Sequence, residues 1–198
     1  MYYFTGDLHW GSDDILFREN RPFANINDFI DFCIVNWNTQ LTKDDVLWIL
    51  GDFVNYNNHC KLSKDELSKI IGIVKRLNCK IILVIGNGEE RIIEELFNNN
   101  FEEFKSFCIS AGMTDVMYDA IIEMKGRKFY INHYPHKHRQ NMLNLFAHTH
   151  RVTGLWKPYG LNLGCDLNHF RLFSETEVLR LIELKEKWWD VDVDNLSM

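Results

Sequence analysis

The chain has 198 residues, 46% of them hydrophobic and 25% charged, a composition that fits one soluble domain and excludes a disordered chain. Its formal net charge of −6 argues against an extended nucleic-acid surface, which needs clustered Lys and Arg. Cys33, Cys60, Cys79, Cys108 and Cys165 stand apart without a Cys-x-x-Cys pair, so neither a disulfide framework nor a thiolate zinc site is expected.

Met1 to Thr5 is a short strand that runs into Gly6-Asp7-Leu8-His9. This opening has no basic stretch followed by an apolar segment, and no later run approaches the about 20 apolar residues of a membrane span. A cytoplasmic protein with no membrane partner is therefore expected. Asn27 is placed to cap a helix reaching Gln40, apolar on more than one face. Asp45 to Leu50 is a second strand, leading to Gly51-Asp52. Ser63 and Glu66 form a capping box, after which Leu67, Ile70, Ile71, Val74 and Leu77 make one helical stripe. Lys80 to Ile85 is apolar and β-branched, as a strand covered on both faces would be, and it ends in Gly86-Asn87. Glu89 to Phe97 and Phe101 to Ala111 are two shorter helices.

In the second half, Ile121 to Met124, the Lys125-Gly126 turn and the residues from Arg127 predict a hairpin. Lys128 to Asn132 leads to His133, and Asn144 to Ala147 leads to His148-Thr149-His150. Ser174 and Glu177 form another capping box before a helix through Lys187. Trp188 and Trp189 are expected to pack its end, with the acids of Asp190–Asp194 in a solvated tail. Alternating strands and helices, then hairpin-like pairs, predict a single α/β domain over residues 1–198: a mixed sheet or two packed sheets with helices outside.

The strand ends carry the functional signal. Each piece alone is ordinary: Gly-Asp and Gly-Asn are common turns, and Asp-x-His arises often by chance. Together they bring Asp7, His9, Asp52, Asn87, His133, His148 and His150 to the carboxyl ends of strands, where open α/β sheets bind ligands. Carboxylate oxygen with imidazole nitrogen suits a divalent transition metal. The set suffices for two ions if one carboxylate bridges. Two ions about 3.5–4 Å apart can share a hydroxide nucleophile and clamp a phosphoryl group, with no serine or cysteine needed.

These motifs resemble the calcineurin-like metallophosphoesterases, in the order Asp7-Leu8-His9, Gly51-Asp52, Gly86-Asn87-Gly88-Glu89, His133 and Ala147-His148-Thr149-His150. Small bacterial and phage members also share Arg21-Pro22-Phe23, His133-Tyr134-Pro135 and Asn162-Leu163-Gly164-Cys165-Asp166. The resemblance implies two packed mixed β-sheets flanked by helices, a four-layer α/β/β/α sandwich. It implies that Asp7, His9 and His150 hold one metal, that Asn87, His133 and His148 hold the other, and that Asp52 bridges them. Mn²⁺ is the expected metal, with Fe, Ni, Zn or Mg as alternatives. Asp52 and Asn87 are thereby expected to act in catalysis as well.

The departures are equally specific. Gly88 stands where the family has the histidine that protonates the leaving oxygen, so a general acid worth about 10²–10⁴ in rate is missing. Glu89 then reads as a helix-start acid, as does Glu90. Ala147 replaces a glycine, and Ser12 replaces a second histidine of close relatives. His136, in the loop after His133, is the preferred substitute acid, with His138 and His169 as further candidates. Arg91 and Arg151 lie near ligand motifs and could reach phosphate oxygens. The expected activity is hydrolysis of a phosphodiester or an activated phosphomonoester, with a nucleotide among the candidate substrates. A metal-binding interaction scaffold and a nuclease are the alternatives.

Overall fold

Tyr2–Thr5 (β1), Val46–Ile49 (β2) and Lys80–Val84 (β3) are adjacent parallel strands, and their side chains alternate between two apolar environments. Tyr3, Leu47, Ile49, Ile81 and Leu83 face one core, while Phe4, Trp48 and Val84 face the other. Burial on both faces is the reason that these segments are apolar throughout. The structure, a computed structural model, describes residues 1–152, 155–157 and 159–189. The acids of Asp190–Asp194 and the side chains of Trp188 and Trp189 lie outside what is described.

The first sheet has the order β10-β1-β2-β3-β4. Asp115–Met117 (β4) adds in parallel to β3, and Phe173–Ser174 (β10) adds antiparallel to β1. The second sheet has the order β5-β6-β7-β9-β8, from Asp119–Met124 (β5), Arg127–Asn132 (β6), Leu143–Phe146 (β7), Trp156–Lys157 (β8) and Gly160–Asn162 (β9). Both sheets are mixed, and they pack face to face through Phe4, Trp48 and Val84 against Phe129, Ile131 and Leu145. The β5–β6 hairpin turns on Lys125 and Gly126, both at positive φ (47° and 77°), the geometry of a tight two-residue hairpin turn.

Five helices bury their apolar stripes on the outer face of the first sheet: Asp14–Arg18 (α1), Ile26–Asn38 (α2), Lys64–Gly72 (α3), Asn87–Leu96 (α4) and Phe101–Ala111 (α5). Glu175–Trp189 (α6) contributes Val178, Leu179 and Ile182 to the core between the sheets. The expected architecture of two packed mixed sheets with flanking helices is the one observed. Over the outer face of the second sheet runs the loop between His133 and Leu143, whose Arg139 guanidinium lies 4.5 Å from the Tyr130 ring. Among the described residues, no helix is long and apolar enough to cross a membrane.

Local expectations fared unevenly. The Ser63–Glu66 and Ser174–Glu177 capping boxes form as expected. The cap of α2 is Asn25 rather than Asn27: the Asn25 carboxamide accepts from the Asp28 N–H at 3.0 Å. The helix stops at Asn38, and the second apolar face noted in its sequence is Phe32 and Val35, left exposed. Cys33, Cys108 and Cys165 are buried, Cys60 and Cys79 half-buried, and all five are free thiols. The short elements α1, β4, β8, β9 and β10 carry too few residues to show a period.

Phe4 is fully buried between the sheets. Phe4→Ala is expected to destabilise the fold by about 3–5 kcal/mol, read as a lowered urea midpoint with little change in slope.

Candidate metal centre

Strands β1, β2 and β3 run parallel, as do β6 and β7, so each set delivers its carboxyl-terminal loops to one edge. The loops are tied to one another there. The Asp7 N–H donates to the Gly51 carbonyl and the His9 N–H to the Asp52 carbonyl, after which Trp10 and Val54 resume parallel pairing. The Ala147 N–H donates to the His133 carbonyl, and the His148 N–H to Asp7 Oδ1 at 2.9 Å. Asp7, His9, Asp52, His148 and His150 all have left-handed backbone, with φ between 45° and 75°. Such positions are uncommon outside glycine and cluster at functional sites. Gly51, at φ 87°, completes the turn before Asp52, and a Cβ there would collide with the His133 ring.

The side chains converge in two groups: Asp7, His9 and His150, and Asp52, His133 and His148. Asn87 Oδ1 lies 3.3 Å from His133 Nε2, joining the second. Asp52 stands between the groups, its Oδ2 3.6 Å from His9 Nε2 and 3.8 Å from His133 Nε2, while its Oδ1 accepts from the Gly88 N–H at 2.7 Å. His133 Nδ1 donates to the Leu50 carbonyl at 2.7 Å, which leaves the Nε2 lone pair facing inward. His150 Nδ1 likewise donates to Asp166 Oδ2 at 2.8 Å.

These residues fit divalent cations. Asp7 Oδ2 and His9 Nε2 are buried with no hydrogen-bond partner, a costly state for either atom alone. Burial pushes the Asp7 carboxyl up against the pull of His150 and His133, and it drives the His9 imidazole down to about 3. Burial and the neighbouring His133 also lower His148. The Asp52 carboxyl is held low: burial opposes this, but His133, His9 and the Gly88 N–H outweigh it. Imidazole nitrogens set around the carboxylates of Asp7 and Asp52 form a donor set that a cation completes. His133 Nε2 and His148 Nδ1, 3.0 Å apart, can share a proton or a cation.

Two buried charges hold these ligands, and neither role was read from the sequence. Glu89 was expected to be a simple helix-start acid. It is instead 1% exposed, and its carboxylate accepts from the N–H groups of Gly86, Asp52, Phe53 and Val54, fastening the Asp52 loop to the start of α4. Burial and the charge of Asp52 raise its carboxyl to about 7. Arg21 is also buried. It forms a two-pronged pair with Asp166, both contacts at 2.8 Å, and donates to the Asp7 and Leu8 carbonyls. Asp166 is brought down to about 2, the bonds from His150 and Arg21 overcoming its burial. Asn162 Nδ2 adds bonds to Thr149 Oγ1 and the His150 carbonyl. Arg21 and the Asn162–Asp166 stretch were visible in sequence only as shared motifs.

A cleft of about 330 Å³ opens over the ligands, lined also by Arg18, Asn55, Tyr56, Asn57, Gly88 and Arg91. Among the described residues, Arg91 and Arg18 are the two arginines on its wall. Arg151 is exposed and does not line this cleft. His136 is exposed, its ring 5.3 Å from that of Tyr134, which in turn lies 5.0 Å from His148. His138 stacks on Tyr159 in a separate, larger depression of about 620 Å³ that no ligand lines. That hollow is a surface feature of the second sheet, apart from the Asp/His groups that the smaller cleft exposes. His169 is exposed and outside the cleft lining.

Over residues 2–194 the chain matches the family described as Calcineurin-like phosphoesterase. It is 23% identical over 190 residues to the uncharacterized protein MJ1445 of Methanocaldococcus jannaschii, covering 91% of this chain and 90% of that protein. Among solved structures, the protein of unknown function AQ665 from Aquifex aeolicus superposes with a TM-score of 0.63 and 22% identity, over 91% of this chain and 98% of its own. That likeness is one of fold.

Asp166→Asn removes the charged acceptor that orients His150. If Asp7, His9 and His150 hold one ion and a second site binds apart from it, metal titration is expected to show the first event weakened about 10–100-fold and the second retained.

Proposed function

Because the chain belongs to the calcineurin-like phosphoesterase family, we propose that it is a metal-dependent hydrolase of a phosphodiester or an activated phosphomonoester. The observation that carries this reading is the meeting of seven ligand side chains at one cleft, with Asp7 Oδ2 and His9 Nε2 buried and unpartnered. Asp7, His9 and His150 would hold one divalent ion, Asn87, His133 and His148 the other, and Asp52 both. Mn²⁺ is the first choice, with Fe, Ni, Zn or Mg as alternatives. When bound, such ions lower the pKa of water and neutralise phosphoryl charge.

The chain's own residues then set the selectivity. Asp52 Oδ1 accepts from the Gly88 N–H, a bond that fixes the carboxylate which would be shared by the two ions. Arg18 and Arg91 are exposed side chains that line the cleft and favour an anionic substrate. Position 88 supplies no side chain, so no acid stands there for the departing oxygen. A leaving group that departs as a stable anion suits this site best. Where a proton is needed, His136, beyond Tyr134, is the candidate donor. A cyclic or linear nucleotide is a fitting substrate, and a cytoplasmic setting fits the reading.

Gly88 also favours a second reading, an interaction scaffold that has lost catalysis. Turnover separates the two. With added Mn²⁺, the purified chain is expected to hydrolyse bis-p-nitrophenyl phosphate faster than the mono-ester, and Asp52→Asn is expected to abolish turnover. Absence of turnover in the metal-loaded chain would favour the scaffold.

A Cβ at position 88 would start 3.1 Å from the Val54 carbonyl and 3.3 Å from Asp52 Oδ1, so both neighbours must give way by a few tenths of an ångström. Gly88→His is expected to raise mono-ester hydrolysis at least about tenfold, part of the about 10²–10⁴ that a well-placed general acid supplies. Unchanged mono-ester turnover at normal metal content would refute the missing-acid account.

A further inference from the structure

Asn55 is 1% exposed and lines the metal cleft, yet its Nδ2 has no hydrogen-bond partner. The local network fixes which end of the carboxamide is free. Asn57 Oδ1 accepts from the N–H groups of His59 and Cys60, so Asn57 must present its Nδ2 to Asn55. Asn55 therefore meets it with Oδ1, at 3.1 Å, and is left with an unused donor. Its backbone N–H is bound to the Trp10 carbonyl, so the residue is anchored at both ends. A buried amide donor without a partner is unfavourable, and it persists best where something else completes it.

Gly88 lines the same cleft, and any side chain on it would begin against the carbonyl of Val54, the residue before Asn55. The absent side chain leaves room on the wall to which Asn55 belongs. We propose that the Asn55 carboxamide donates a hydrogen bond to a non-bridging oxygen of the substrate's phosphoryl group, in the space that glycine at position 88 leaves open. This contact rests on the phosphoesterase reading. It makes Asn55 a substrate-binding residue: a neutral donor that holds the phosphoryl group without giving up a proton. The site then recognises the phosphoryl group well and protonates the leaving oxygen poorly, the combination that suits diesters.

The test is isothermal titration of inorganic phosphate into the Mn²⁺-loaded full chain, with metal content measured on the same samples. Asn55→Asp keeps the oxygen that serves Asn57 and exchanges the donor for a second oxygen; Asn55→Ala removes the group. Both variants are expected to retain the wild-type metal content. Phosphate affinity is expected to fall about tenfold in Asn55→Ala and further in Asn55→Asp, where a carboxylate would face the anion. Affinity within about twofold of wild type in both variants would overturn the proposal. So would loss of metal in both, which would make Asn55 a support for the ligands, or no saturable phosphate binding by the loaded wild type. Turnover of bis-p-nitrophenyl phosphate is read separately: phosphate binding that depends on Asn55 without turnover would keep this contact and retire the phosphoesterase reading.

Discussion

Arg21 is the charge around which the two sheets close at the metal edge. Its guanidinium bonds the Asp7 and Leu8 carbonyls that follow β1 in the first sheet, and Asp166, which follows β9 in the second. Asp166 passes the constraint on to His150. A buried ion pair of this kind is poor evidence for net stability, since desolvation offsets much of its attraction. Its value here is geometric. One planar cation with several donors fixes two loops from different sheets at once, which a lysine could not reproduce. Glu89 is the counterpart on the other flank, an anion that gathers four backbone N–H groups where Arg21 gathers carbonyls.

These clasps offset a definite strain. Five of the ligand residues sit in left-handed backbone, and each such residue costs on the order of 1–3 kcal/mol. Local propensity would relax them, so they persist because sheet pairing, the interloop bonds and the two buried charges over-determine them. The same strain points the ligand atoms inward. It leaves Asp7 Oδ2 and His9 Nε2 buried without partners in one and the same group, an arrangement that suits a cation.

The side chains that converge here were legible as candidate ligands because metal chemistry restricts residue type and because each follows an apolar run. The long strands and helices were legible for a similar reason: period and capping are local. The supports were not. Arg21 and Asp166 are 145 residues apart, and nothing in either neighbourhood announces the other. Glu89 has the local signature of any helix-start acid, and only the approach of the Asp52 loop turns it into a buried anchor. Asn25 and Asn27 are equivalent caps by type, and the choice between them falls to the packing of Phe29 and Ile30. The two-residue strands β8 and β10 exist only because a neighbouring strand offers its edge.

The ligands come from five strand ends spread over both sheets, the first at Asp7 and the last at His150. No contiguous segment holds a complete candidate donor set, so an unfolded or half-made chain would offer a cation few of these groups at once. Metal binding at this site would therefore act on the equilibrium only after both sheets have docked, by mass action on the finished fold. Ions held there would lock the finished fold rather than nucleate it, slowing unfolding more than speeding folding.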